Sequence, residues 1–286
     1  GLNYITTVQD LAVLKRVIVQ NVAATGVAVL NATDPTVSAM ASKCRGSVTF
    51  FAVDKFHPVM ATHRAQGQAV VYVENGQLVA SKGDFQQTIA LASIPITMGG
   101  MIPFQVENVM ASVAAAWALG LDWDTIRGGL SSFSNDTHNA QGRFNFFKFR
   151  GATVIADYGH NPDAMIALVQ AVQAMPATRR AVVISGAGDR RDQDIRQKTE
   201  ILGDAFDEVI LYEDQCQRGR RDGEVIALLS QSLAHARRTT QASEIKGEFL
   251  AIDTAMDKLA PGELCLILVD QVEEALAHIA ARVQKG

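Results

Sequence analysis

From residue 152 onward, short apolar runs alternate with helical segments, and most of the runs end in turns rich in glycine and charge. That alternation constrains the fold more than any other feature of the chain. The runs at 154–155, 181–185, 208–212, 249–252 and 264–269 read as strands. The segments at about 163–174, 192–206, 223–236 and 271–284 read as helices, the last with Val272, Ala275, Leu276, Ile279 and Val283 at helical spacing. Strands joined through helices predict a parallel sheet with covering helices. The second half is therefore expected to be an α/β domain of Rossmann-like type, here without the Gly-x-Gly-x-x-Gly fingerprint.

The first half carries its own α/β signals. Residues 7–22 read as a helix with Leu11, Leu14, Ile18 and Val22 on one stripe. Strands are expected at 27–30 and 47–53, with a hairpin of 69–73 and 77–80 around Asn75-Gly76. Asp34-Pro35 is a helix start, and 107–119 and 123–130 read as helices, the former with Met110, Val113, Ala114 and Trp117 inward. The polar stretch 131–141 marks the approach to a boundary, so the expected domains are 1–141 and 142–286.

Bulk composition excludes several classes. The net charge of −4 gives no global attraction to nucleic acid or anionic membrane. No apolar stretch approaches the roughly 18 residues that a membrane-spanning helix needs. Cys44, Cys216 and Cys265 are widely spaced and form no metal-binding pattern, which fits a reducing, cytoplasmic setting. Cys265, inside an apolar run, is expected to be a packing residue. The start, Gly1-Leu2-Asn3-Tyr4, lacks signal-peptide character and an initiating Met, and reads as the continuation of a longer chain.

Chemistry concentrates where expected strands end. Asp157-Tyr158-Gly159-His160-Asn161-Pro162 follows one strand, and ligands of open α/β sheets bind outside the carboxyl ends of strands. Asn161-Pro162 is also a sound helix start in its own right. Ser185 to Asp192 follows the next strand; its two glycines free backbone amides, and Arg190 and Arg191 suit an anion, although an ordinary turn with exposed charge looks the same. A third cluster, Glu213-Asp214 to Arg221, follows the strand ending at Tyr212. Arg143, in Gly142-Arg143-Phe144, stands at the expected domain boundary, where it could reach a ligand or simply be a surface charge. No Gly-x-x-x-x-Gly-Lys-Ser/Thr phosphate loop occurs in the 286 residues.

Gly142-Arg143-Phe144, Asp157 to Pro162 and Gly188-Asp189-Arg190 stand in the order of landmarks in the C-terminal domain of the Mur ligase family, which this chain resembles along essentially its whole length. Upstream, Leu30-Asn31-Ala32-Thr33-Asp34-Pro35 and the Ala-rich segment with Asn108 resemble that family's central domain. The resemblance implies part of a central, ATP-binding domain without its phosphate loop, followed by a Rossmann-like C-terminal domain. It implies an ATP-dependent amide ligase that forms an acyl phosphate, with ATP and Mg2+ as cofactors. Asp157-Tyr158-Gly159-His160, the run 188–196, Arg218-Gly219-Arg220 with Glu224, and Asn145 are most similar to the branch that adds arginine to the aspartate side chains of a poly-aspartate backbone. Branches acting on muramyl peptides or folylpolyglutamates remain alternatives, as does a non-catalytic binding or assembly domain.

By the same resemblance, Asp157 would hold the ATP ribose, Asn108 would face the adenine, and Asn161 would lie at the nucleotide. Arg143 would reach phosphate across an interdomain cleft, and Lys15 would help hold Mg2+ only if carbamylated, since Mg2+ prefers oxygen ligands. His160 would line the junction of nucleotide and acceptor. Gly188, Asp189, Arg190, Arg191, Arg218, Arg220 and Glu224 would meet the substrates, arginine and the aspartate polymer. The remaining partners implied are the N-terminal P-loop and ATP-grasp regions of the same enzyme and further copies of the chain as a homo-oligomer. Alone, the 286 residues are expected to be inactive.

Overall fold

A computed structural model describes residue 5, residues 7–213 and residues 218–286. The readings placed on Gly1 to Tyr4, Asp214 and Cys216 lie outside the described residues. The chain divides into two compact units, Gly1–Phe133 and Ser134–Gly286.

The first unit is a five-stranded sheet in the order β1 (Val27–Asn31), β2 (Ser47–Phe51), β3 (Val70–Glu74), β4 (Gln77–Lys82) and β5 (Phe85–Ala90). The first three strands are parallel and the last two antiparallel. Its helices are α1 (Val8–Gln20), α2 (Pro35–Ala39), α3 (Pro58–Ala65), α4 (Pro103–Ala118) and α5 (Trp123–Ser132). Side chains alternate across the sheet. Phe51, Val71, Leu78 and Ile89 pack against Val106, Met110 and Val113 of α4. Phe50, Val70, Tyr72 and Val79 pack on the other face with Val19 of α1 and Met60 of α3. Asn75 and Gly76, at φ 50° and 73°, make the expected hairpin turn. Asp34 caps α2, its carboxylate accepting from the amides of Thr36 and Val37. Three members of the stripe read on α1 do not face the core: Leu11, Leu14 and Ile18 are 42, 56 and 72% exposed, whereas Val19 is buried and the fourth member, Val22, packs against the core. Helical spacing shows which residues share a stripe, not which stripe meets the sheet.

The second unit holds a six-stranded sheet. Its strands are β6 (Asn145–Phe149), β7 (Ala152–Asp157), β8 (Arg180–Ile184), β9 (Glu208–Glu213), β10 (Gln241–Lys246) and β11 (Leu264–Leu268), in the spatial order β10-β9-β8-β11-β7-β6. All pairings are parallel except β6 with β7. The helices are α6 (Pro162–Ala174), α7 (Asp192–Gly203), α8 (Glu224–Leu233), α9 (Glu248–Lys258) and α10 (Val272–Lys285). Ala251, Ile252 and Met256 of α9 and Leu276 and Ile279 of α10 pack with Val154, Val183, Ile210 and Ile267, one face of the sheet. The alternate residues Ile155, Val182, Leu211 and Leu266 are buried too, as are Met165, Ile195 and Leu229 of the mutually packed α6, α7 and α8. Cys265 is a buried packing residue at 0% exposure.

The strand expected at 249–252 is a helix. Glu248, Ala251, Ile252, Ala255 and Met256 are its buried positions, an i, i+3, i+4 stripe that the short apolar run concealed. The fifth parallel strand is β10, upstream, an edge strand of largely polar and exposed sequence. The unit border lies upstream of the 141/142 boundary read from the sequence. Asn145, fully buried, ties the intervening segment to β6 by donating to the carbonyls of Asn135, Asp136 and Ala140 at 3.1, 3.1 and 2.8 Å.

At the amino-terminal edge of this sheet the buried Glu208 accepts from Arg179 and Lys258, each at 2.7 Å. Buried carboxylates are costly unless paired. Glu208→Ala should destabilise the second unit by about 2 kcal/mol, the scale of lost hydrogen bonds to a charged group. Loss of the exposed Arg237–Asp204 pair should cost under about 1 kcal/mol. Urea unfolding of the two variants checks the ranking, and equal losses would contradict it.

Candidate functional site

The sheet of the second unit reverses its winding at β11. The chain passes from β7 to β8, β9 and β10 in one direction, then returns to insert β11 between β8 and β7. The helices after β7 and β8 cover one face, whereas α10, after β11, covers the other. Such a reversal opens a crevice at the carboxyl ends of the strands. The turn at 185–192, which follows the next strand in the chain, is separated from Asp157 by β11, so the two turns flank the crevice.

Asp157 ends β7 and is 7% exposed. Its Oδ2 accepts from Phe144 N at 2.8 Å and its Oδ1 from Gly159 N at 2.6 Å. Phe144 holds φ 55°, a left-handed conformation unusual for a bulky residue, and its amide bond to Asp157 fixes it there. Tyr158 N donates back to Gly142 O at 2.8 Å. Gly142 needs to be glycine: its φ is 65°, and a Cβ would stand 2.8 Å from Val272 Cγ1. Asn145 Oδ1 accepts from Gly142 N at 2.7 Å. One buried carboxylate thus joins the 142–144 turn to the 158–159 turn. Burial pushes the Asp157 carboxyl up to about 6, against the pull of the two amides and the charges of Arg143 and His160.

The pocket in the crevice is lined by Tyr158 and His160 after β7, Ser185 and Gly186 after β8, Asp270 after β11, and Lys198 of α7, among others. Arg190 and Arg218 stand in its wall. His160 Nδ1 lies 3.1 Å from Tyr158 O, and the two rings are 5.2 Å apart. Arg218 reaches Asp270 at 3.0 Å and Asp189 at 3.6 Å. The turn carrying Asp270 is held by Glu248, which is buried and accepts from the amides of Asp270 and Gln271 at 2.8 and 3.1 Å.

Of the residues singled out in the sequence, His160, Arg190 and Arg218 meet at this pocket, with Asp157 behind its wall. Asn161 is the cap of α6, accepting from Ala164 N at 2.8 Å. Arg220 is a clasp: it donates to Gly188 O, Arg190 O and Glu224 and pairs with Asp192, which sets the 188–190 loop. Its partner Glu224 is occupied in that clasp, and Arg191 turns to Asp194. Arg143 is exposed beside Asp157. Lys15 and Asn108 are exposed on α1 and α4 of the first unit, where Asn108 donates to Gln105 at 3.2 Å. Among the described residues no group of three or more His, Cys, Asp or Glu is placed to hold a metal.

Sequence reading missed Lys198 and Asp270. Lys198 shares the buried stripe of α7 with Ile195, Thr199 and Leu202, and a lysine on an apolar stripe is the signal that marks it. Asp270 follows the end of β11, just as Asp157 closes β7. Lys198 is 5% exposed, and its Nζ donates to the Ser185 carbonyl. Burial pushes its pKa down to about 8, against the attraction of Asp270.

The Asp157 shift has a stability consequence. Its pKa is raised from 3.8 to about 6 on folding, so between these values the folded unit keeps a proton that the unfolded chain has lost. The group's stabilising contribution is full below about pH 4 and disappears as pH rises through about 6, a swing of about 3 kcal/mol. Asp157→Asn removes the titration. The wild-type minus variant difference in unfolding free energy should therefore fall by about that amount between pH 3 and pH 7, and a difference constant with pH would contradict the account.

Residues 142–282 match the family described as Mur ligase, glutamate ligase domain. Over 98% of its length the chain is 36% identical to the cyanophycin synthetase of Geminocystis herdmanii, and over its full length 35% identical to that of Synechocystis. It spans about a third of the length of these curated relatives. The fold is similar to that of E. coli FolC in complex with ADP, with a TM-score of 0.60 at 20% identity, covering 87% of this chain and 51% of that one. Both units are α/β, the second with one mainly parallel sheet, and residues 142–282 carry a domain of the Mur ligase family.

Proposed function

We propose that the chain serves as the distal part of an ATP-dependent amide ligase that attaches arginine to the aspartate side chains of a poly-aspartate backbone. The observation that carries this reading is the 36% identity along nearly the whole chain to a cyanophycin synthetase. The crevice at β11 supports it chemically, because it sets cationic Arg190, Arg218 and Lys198 beside acidic Asp270. Such a mixed lining suits zwitterionic and phosphorylated ligands.

In this reaction a side-chain carboxylate oxygen attacks the γ-phosphorus of ATP, and ADP leaves. The amine nitrogen then attacks the acyl carbon, its proton departs, and the carbon–oxygen bond to phosphate breaks. An acyl phosphate is open to hydrolysis, so the site must exclude water. Asp157 is assigned to the ribose through the lone pairs that the Phe144 and Gly159 amides leave over. Arg143, beside it, is assigned to offset phosphoryl charge. The phosphate cradle is assigned to a longer protein, since these 286 residues contain no phosphate loop.

The test is ATP consumption by a protein that joins this chain to the preceding segments of its relatives. Turnover should require both arginine and an aspartate polymer, and the 286 residues alone should show none. Arg143→Ala should lower kcat at least about tenfold, the scale of one lost charge-stabilising contact. Turnover with muramyl or folate substrates instead, or none with any acceptor, would contradict the assignment, the latter in favour of an assembly role.

A further inference from the structure

Two groups that line the pocket have no individual contact assigned to them above. The first is Lys198, a lysine 5% exposed on a helix stripe otherwise made of Ile195, Thr199 and Leu202. A methionine or leucine would fill that place without the cost of burying an ammonium group. The second is Ser185 Oγ, which is shielded from solvent and has no hydrogen-bond partner among the described residues. Buried hydroxyls are nearly always satisfied, so one that is not calls for an explanation.

Both side chains line the same pocket, and Lys198 Nζ donates to Ser185 O, so cation and hydroxyl belong to one corner of it. The whole pocket, of which these two side chains line one part, has about 30 Å3 of accessible space. That is room for a small functional group. An ammonium with two further donors and a hydroxyl with a free proton together bind an anion's oxygens. A carboxylate presents two oxygens, one for each of these two donor groups, and so matches the pair without leaving an anionic oxygen over. Gly186 keeps the corner tight, since a Cβ there would meet Val225 Cγ1 at 2.5 Å.

We propose that Lys198 Nζ and Ser185 Oγ form a subsite for the carboxylate group of the amino acid that the ligase adds. The proposal rests on the ligase reading and deepens it by naming what selects an amino acid over an amine. The lowered pKa of Lys198 fits an ammonium waiting for a counter-charge: a bound carboxylate would raise it again.

The experiment is isothermal titration of the 286-residue chain with L-arginine, its decarboxylated counterpart agmatine, L-lysine, diaminopimelate, L-glutamate and inorganic phosphate. One amino acid should bind, and agmatine should bind at least tenfold more weakly than arginine if arginine is that ligand. Lys198→Met should weaken the amino acid at least tenfold and leave the amine unchanged. Ser185→Ala, which removes only a hydroxyl, should weaken it two- to fivefold and serves if the lysine variant does not fold. Lys198-dependent binding of an amino acid other than arginine would uphold the subsite and overturn the substrate assignment. Arginine binding that is unchanged in both variants would overturn the subsite and leave that assignment standing. Equal losses for acid and amine, tighter binding of phosphate, or no binding by any amino acid would each overturn the subsite.

Discussion

The carboxylate of Asp157 is the interaction on which the crevice of the second unit depends. It closes β7, lies out of solvent, and accepts an amide from each of two turns, at Phe144 and at Gly159. Without it, the left-handed backbone at Phe144 would lose its restraint. The cost is a carboxylate that burial disfavours, partly offset by those amides and by Arg143 and His160. A purely structural turn would be cheaper to build with a neutral acceptor, which is why this device reads as part of a site.

Buried charge is distributed unevenly over the same sheet. At its amino-terminal edge, Glu208 is matched by Arg179 and Lys258, a closed arrangement that stabilises. At the carboxyl edge, Lys198 donates to a carbonyl and is drawn to Asp270, which pairs with Arg218, itself near Asp189. The first arrangement is remote from the pocket, whereas the second lines it.

Strand–helix alternation made the architecture of the second unit legible, because parallel strands buried on both faces leave unmistakable apolar runs. It misled at 249–252, where Phe249 to Ile252 looked like such a run but lies on α9, while the polar edge strand β10 left no apolar trace. The acid and imidazole of the Asp157–His160 segment were legible as a strand-end site. Their division of labour was not, since hydrogen bonding to Phe144 depends on a β6–β7 pairing that no local pattern records. Arg220 illustrates the converse: in sequence it is one more surface arginine beside a substrate loop, yet its donors are spent on Gly188, Arg190 and Glu224. Lys198 was hidden by being a single charge on a helix otherwise read by its periodicity.

The most direct test of the account is amide hydrogen exchange at Phe144 and Gly159 as a function of pH. After correction for intrinsic exchange rates, protection at both amides should rise together as pH is lowered through about 6, the value to which burial raises Asp157. The closed state holds the proton more tightly than an opened state in which the carboxyl meets water. Protection that does not change across that range, or that changes at one amide and not the other, would show that Asp157 does not join the two turns.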